Sequence, residues 1–176
     1  TEREILDTVA SQRDEAVALL QDLVAHPSLL GQEASAQGLM KRQFGRLGLR
    51  VHEFGIDEVK IRSHPGYSPS IVSYGGRHNV VGVHEPAGPP QGRMPEGADR
   101  RLPNEPRGAV RGQSLLLSGH IDVVPVGAEK LWSRPPFEPH LDGDRLYGRG
   151  AADMKAGIVA YTMAYRALQR LGYEPA

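Results

Sequence analysis

Three residues have types and spacing that could support chemistry: His120, Asp122 and Asp153. His120 and Asp122 lie two residues apart, directly after an apolar run at residues 115–117. Because residues i and i+2 of an extended chain point the same way, Asp122 can accept a hydrogen bond from one ring nitrogen of His120 while the other nitrogen faces a metal. Asp153 follows a glycine-flanked turn and precedes a helical pattern. Strand ends and helix starts are where α/β enzymes usually place their chemistry, so we predict a metal site.

Each of these residues also has a simpler interpretation. A His-x-Asp sequence by itself is typical of a surface pair. Asp153 alone is explained about as well by a helix N-cap, which stabilises a helix by about 1 kcal/mol, as by a carboxylate that bridges two metal ions. The small residues Gly148 and Gly150 before it would allow close approach of the backbone. Lys155 could belong to the site, but a solvated helix lysine is the simpler interpretation.

Composition narrows the class of protein and the class of ligand. The 176 residues suit one domain, or one domain with a piece of another. Lys plus Arg (21) balance Asp plus Glu (21), which argues against a nucleic-acid or anionic-membrane partner. The absence of Cys leaves His and carboxylates as metal ligands. No apolar run approaches the roughly 20 residues that span a bilayer, and the charged N-terminus is unlike a signal peptide, so we expect a cytoplasmic protein with no membrane partner.

The hydrophobic periodicity predicts an α/β fold, with a mixed, partly parallel sheet flanked by helices. Helices are predicted from the N-terminus to His26-Pro27, over residues 31–47 and over residues 154–171. Strands are predicted at residues 49–54, 79–83, 113–118 and 145–147, and the third is apolar throughout, as in a strand buried on both faces. Residues 85–112, rich in Pro, Gly, Arg and Glu, indicate a long exposed loop.

Several ordered blocks of sequence carry a resemblance to a known family. The blocks are residues 118–125, Trp132, Pro136-Phe137, Asp142-Gly143 and residues 146–157. They resemble the zinc-dependent aminoacylase/carboxypeptidase family, which includes acetylornithine deacetylase, succinyl-diaminopimelate desuccinylase, aminoacylase and the glutamate carboxypeptidases. Their order and number make this match far more specific than His-x-Asp alone.

The resemblance implies a role for each site residue. His120 would be the ligand of one metal ion, Asp153 the carboxylate that bridges two ions, and Asp122 the catalytic-site residue that orients His120. The Asp153-Met154 peptide would be cis. The full-length enzyme would carry two zinc ions, with cobalt or manganese as alternatives. It would be a homodimer that hydrolyses an amide bond in an N-acyl amino acid or small peptide.

One part of the family pattern is absent from this sequence. The family's general base is the first residue of a Glu-Glu pair that follows the bridging aspartate, and no Glu-Glu pair occurs here. The resemblance also places further ligands and a dimerisation domain downstream. We therefore expect residues 1–176 to be the N-terminal portion of a zinc exopeptidase-like catalytic domain, inactive by itself. The alternatives are a catalytically incomplete folding or interaction module and, less favoured, a dinuclear phosphoesterase.

Overall fold

The computed structural model describes residues 1–84 and 115–173. The helices are α1 (Glu2–Ser11), α2 (Arg13–Ala25), α3 (Ala34–Arg46), α4 (Glu58–Ile61) and α5 (Ala156–Arg170). The strands are β1 (Arg50–Gly55), β2 (His78–Val83), β3 (His140–Asp142) and β4 (Arg145–Tyr147), and a 3₁₀ turn spans Glu129–Leu131. The loop predicted at residues 85–112 lies outside these ranges. Among the described residues, no helix has the length and hydropathy needed to cross a bilayer.

The predicted N-terminal helix is two helices. Thr1 and Glu4 form a capping box at the start of α1, in which each side chain accepts a hydrogen bond from the other residue's main-chain nitrogen. The helix then breaks at Gln12, whose side chain is buried and donates from Nε2 to the main-chain oxygen of Met163 on α5. Periodicity cannot reveal this break, because its cause is a contact with a helix far along the chain. α2 ends before His26-Pro27, as predicted.

The strands form two small antiparallel sheets. β1 pairs with β2 from Arg50 opposite Val83 to Gly55 opposite His78, and β3 pairs with β4. Helices and strands are therefore mixed, as expected of an α/β chain. The prediction of one partly parallel sheet is wrong for the described residues, in which parallel pairing is limited to an isolated bridge between Leu29 and Val123.

The strand predicted at residues 113–118 is also wrong over its described part. Residues 115–118 pair with no strand among the described residues, and the side chains of Leu115 and Leu116 are 82% and 81% exposed. A strand buried on both faces needs neighbours that supply hydrogen bonds and apolar cover. An apolar run indicates the composition of such a strand but not the presence of its partners.

The hydrophobic core lies between α2, α3 and α5. Its buried members are Leu19, Leu23, Ala36, Leu39, Met40, Ile121, Ile158, Val159 and Met163. Ala36 and Met40 belong to the apolar stripe that the sequence predicts for α3. Ile121, the residue between His120 and Asp122, also belongs to this core. His120 and Asp122 are thus attached to the core through Ile121, the residue between them.

Candidate metal site

His120 is oriented by the main chain of Asp122. The imidazole Nδ1 lies 3.0 Å from the main-chain oxygen of Asp122. Because a carbonyl oxygen only accepts, Nδ1 is the donor, and Nε2 is the ring nitrogen that remains for another partner. The sequence predicts that the Asp122 carboxylate is the acceptor, but its Oδ1 is 3.6 Å from Nδ1, which is too far for a normal hydrogen bond. Asp122 thus contacts His120 through its main-chain oxygen and not through the predicted carboxylate.

Asp153 faces the other nitrogen of the same ring. Its Oδ1 lies 3.1 Å from Nε2 of His120, and the two side chains are 88% and 48% exposed. When Nδ1 donates to the Asp122 carbonyl and the ring is neutral, Nε2 and the carboxylate are two acceptors that face each other. A proton or a metal cation between them would relieve their repulsion. The structure therefore brings together the three residues that the sequence singles out.

The N-cap interpretation of Asp153 does not fit the structure. α5 begins at Ala156, and no side chain caps its N-terminus. Asp153 has φ −115° and ψ 103°, which are not helical angles. The Asp153-Met154 peptide is cis, as the resemblance implies.

Two glycines let the turn before Asp153 approach its neighbours. A Cβ atom on Gly148 would lie 2.4 Å from Cγ1 of Val24, and one on Gly150 would lie 2.4 Å from Cγ1 of Val123. Gly150 also has φ 82°, a conformation that L side chains rarely adopt. The predicted close approach of the backbone at Gly148 and Gly150 is thus confirmed.

Lys155 is buried, so its interpretation as a solvated lysine is wrong. The residue is 0% exposed, and Nζ donates to the main-chain oxygens of Leu23 at 2.8 Å and His26 at 2.9 Å. Burial lowers the pKa of Lys155 to about 8. Carbonyls at the end of a helix lack intrahelical donors, and the ammonium group supplies them here. Sequence reasoning missed this contact because lysines are almost never fully buried without a partner, and the partner is more than a hundred residues away.

Ser28 fixes the backbone on both sides of Asp122. Its Oγ donates to the main-chain oxygen of Ile121 at 2.6 Å, and its own carbonyl accepts from the main-chain nitrogen of Val123 at 2.8 Å. The side chain of Ser28 is fully buried. The sequence contains no local signal for this role, because a serine after a helix end is a common loop residue.

His120 and Asp122 border a cleft of about 420 Å³ whose far wall carries paired charges. There, Glu33 accepts from Nη2 of Arg77 at 2.6 Å and from the main chain of Gly31 at 2.9 Å. Burial raises the pKa of Glu33, but these hydrogen bonds together outweigh it and leave the pKa below its ordinary value. Glu33 is thus buried and ion-paired.

The donors present fit part of a zinc site. An imidazole nitrogen and a carboxylate oxygen are both ligands that zinc accepts, at His120 and Asp153. Among the described residues, no group of three or more His, Cys, Asp or Glu side chains could hold a metal ion. Structural and catalytic zinc sites use three or four protein ligands. The metal-binding role of these two residues therefore stays a prediction.

Known proteins resemble the chain most clearly over this region. The peptidase family M20/M25/M40 matches residues 116–176. A succinyl-diaminopimelate desuccinylase of Acidovorax ebreus (strain TPSY) is 30% identical over 147 residues, which are 83% of this chain and 30% of that protein. Another, of Paracidovorax citrulli (strain AAC00-1), is 49% identical over 70 residues, which are 39% of this chain and 18% of that protein. The chain thus matches less than a third of the length of either relative. The match confirms the predicted resemblance to this family of metal-dependent aminoacylases and peptidases over residues 116–176.

Proposed function

We propose that the protein containing this chain is a metal-dependent hydrolase that cleaves an amide bond in an N-acyl amino acid or small peptide. The observation that carries the proposal is the 3.1 Å approach of His120 Nε2 to Asp153 Oδ1, which brings together an imidazole nitrogen and a carboxylate oxygen, both of them ligand types of zinc. The family match over residues 116–176 and the desuccinylase names of the relatives support the reaction class. The acyl group and the amino acid are not part of the proposal.

In this proposal His120 and Asp153 bind zinc, for which cobalt or manganese could substitute. Bound zinc supplies Lewis-acid activation of the carbonyl and of water. The main-chain oxygen of Asp122 holds the proton on Nδ1 of His120, which leaves Nε2 free as a ligand and fixes the plane of the ring. The partial exposure of both ligands leaves room for further donors and for substrate.

We also propose that residues 1–176 form the N-terminal portion of the catalytic domain. The share of the relatives that the chain matches, 30% and 18%, supports this arrangement. The remaining ligands, the general base and the surface of a homodimer then come from outside the described residues. A cytoplasmic location belongs to the same proposal.

The test compares two His-x-Asp histidines in the complete natural protein. Loss of a side chain that binds the metal should lower turnover by more than the roughly 10- to 100-fold that follows loss of a residue that hydrogen-bonds to a metal ligand. We expect His120→Ala and Asp153→Ala each to lower turnover of an N-acetyl and N-succinyl amino-acid panel by more than about 100-fold, together with the zinc content. His140→Ala is the matched control, because Asp142 follows it at the same spacing. Undiminished zinc and turnover in both site variants would refute the proposal.

A second candidate function is a folding or interaction module without catalysis. It is favoured by the lack of a three-donor group among the described residues. Elemental analysis of the purified 176-residue chain separates the candidates. Tight binding of two zinc ions by the chain alone would exclude the module, whereas little zinc in the chain and abundant zinc in the complete protein would agree with the proposed division of ligands.

A further inference from the structure

One short segment contacts both halves of the candidate site. Residues 23–29 comprise the last turn of α2 and the first residues after it. Towards one side they receive the two hydrogen bonds of the buried Lys155 ammonium group. Towards the other they bond to the backbone on either side of Asp122 through Ser28. The segment therefore lies between the strand-like stretch that carries His120 and the turn that carries Asp153.

The contact with Lys155 reaches Asp153 through a closed turn. The main-chain nitrogen of Lys155 donates to the oxygen of Gly150 at 3.1 Å, so the residues between them form a loop with fixed ends. The Lys155 side chain runs beneath that loop, and a Cβ on Gly150 would lie 3.5 Å from its Cδ. Asp153 lies inside the loop, two residues before Lys155. Its own side chain is largely exposed, so its position depends on the main chain that carries it.

The contact with Ser28 reaches His120 over a similarly short distance. Ser28 binds the carbonyl of Ile121, the next residue after His120, and the amide of Val123, the next residue after Asp122. Before His120 the chain is exposed, at Leu115 and Leu116 above all. The end of this stretch that is fixed is therefore the C-terminal end, which is hydrogen-bonded to Ser28.

We infer that residues 23–29 set the distance between the two metal donors, with Lys155 and Ser28 as positioning residues. The inference rests on the proposed function, because it assigns the two donors to a metal. The hydrogen bonds of both side chains go to main-chain oxygens and not to His120 or Asp153. Each of the two side chains holds a main-chain segment that lies within two residues of a donor. Both segments are hydrogen-bonded to residues at the same end of α2.

The test measures zinc affinity in the complete natural protein, by competition with a fluorescent chelator. Lys155→Met keeps a side chain of similar length and removes its donors. We expect its zinc dissociation constant to rise about 10- to 100-fold, the range found when residues behind metal ligands are lost. Met163→Ala, in the core on α5, is the control for lost stability. Because its side chain forms no hydrogen bond with residues 23–29 or with either donor in the part of the chain that the structure describes, we expect it to change the constant by less than about twofold.

Ser28→Ala gives a second, smaller perturbation that keeps the inference testable if Lys155→Met does not fold. We expect about a tenfold rise in the zinc dissociation constant. A rise that is no larger than that of Met163→Ala, in Ser28→Ala and in any folded Lys155→Met protein, would overturn the inference. Absence of zinc binding in the wild-type protein would instead overturn the proposed function on which the inference rests.

Discussion

The chain contains the sequence His-x-Asp twice, at His120-Ile121-Asp122 and at His140-Leu141-Asp142. In the first, the middle residue is 7% exposed and belongs to the core. In the second, it is 38% exposed on a two-stranded hairpin. The spacing is the same, and so is the chemistry of the side chains. What differs is how firmly the rest of the molecule holds the main chain of each pair.

The two histidines consequently have different neighbours. Nε2 of His120 faces a carboxylate from Asp153, 33 residues later in the chain. The ring of His140 stacks on Tyr147, the residue opposite it in the hairpin, with 6.4 Å between the ring centroids. Local spacing places two polar groups on one face of an extended chain. A metal site also requires a donor from a distant segment, and within residues 1–84 and 115–173 only the first pair faces a carboxylate from one.

The largest expected effect concerns the glycine that lets the Asp153 turn pack behind the first pair. Gly150→Ala should lower the free energy of unfolding by about 3 kcal/mol, because the new methyl group overlaps Val123 and the residue keeps a left-handed φ. Gly143→Ala, in the hairpin of the second pair, has φ 60° and open space around it, and should cost about 1 kcal/mol. Urea unfolding of the 176-residue chain measures both. Equal losses would contradict the tight packing at Gly150.

An intermediate effect concerns the charged wall of the cleft beside the first pair. The pKa of Glu33 lies below the 4.5 of an unperturbed glutamate, so the folded chain binds this proton less tightly than the unfolded chain. The resulting stabilisation is complete above that value and is lost as the pH falls through the lower pKa of the folded state. We expect Glu33→Gln to cost about 1.5 kcal/mol at pH 7.

The cost of Glu33→Gln should shrink as the pH falls to about 3, because wild type then loses the same interaction. Unfolding in urea at several pH values follows this difference. A double-mutant cycle with Arg77→Met isolates the contribution of the Glu33–Arg77 ion pair to the free energy of unfolding. A cost that stays constant between neutral and acidic pH would show that the Glu33 carboxylate is not stabilised in the folded chain.

The smallest effect is expected in the exposed run that leads to the first pair. Leu116 is 81% exposed, so Leu116→Ser should change the free energy of unfolding of this chain by no more than about 0.5 kcal/mol. Leu39→Ala, in the core on α3, should cost about 3 kcal/mol and serves as the reference. A loss at Leu116 close to that reference would mean that the run is buried in the folded chain.

The elements that depend on local sequence were predictable. β1, β2, α3 and α5 lie close to their predicted ranges, since hydrophobic periodicity and turn residues act over a few neighbours. The failures share a different cause. The break at Gln12 and the absent strand at residues 115–118 depend on contacts with distant segments, or on the lack of them. Hydrophobic periodicity does not show whether such distant contacts form.

At the candidate site, the identities of His120, Asp122 and Asp153 and the family that they indicate could be read from the chain's residues alone. Three features required the folded chain: the oxygen of Asp122 that contacts the ring, the approach of Asp153 to that ring, and the burial of Lys155. The difference follows from the range of the forces involved. Side-chain type and i, i+2 geometry are local, whereas burial and hydrogen bonds between α2 and α5 exist only after the chain has packed.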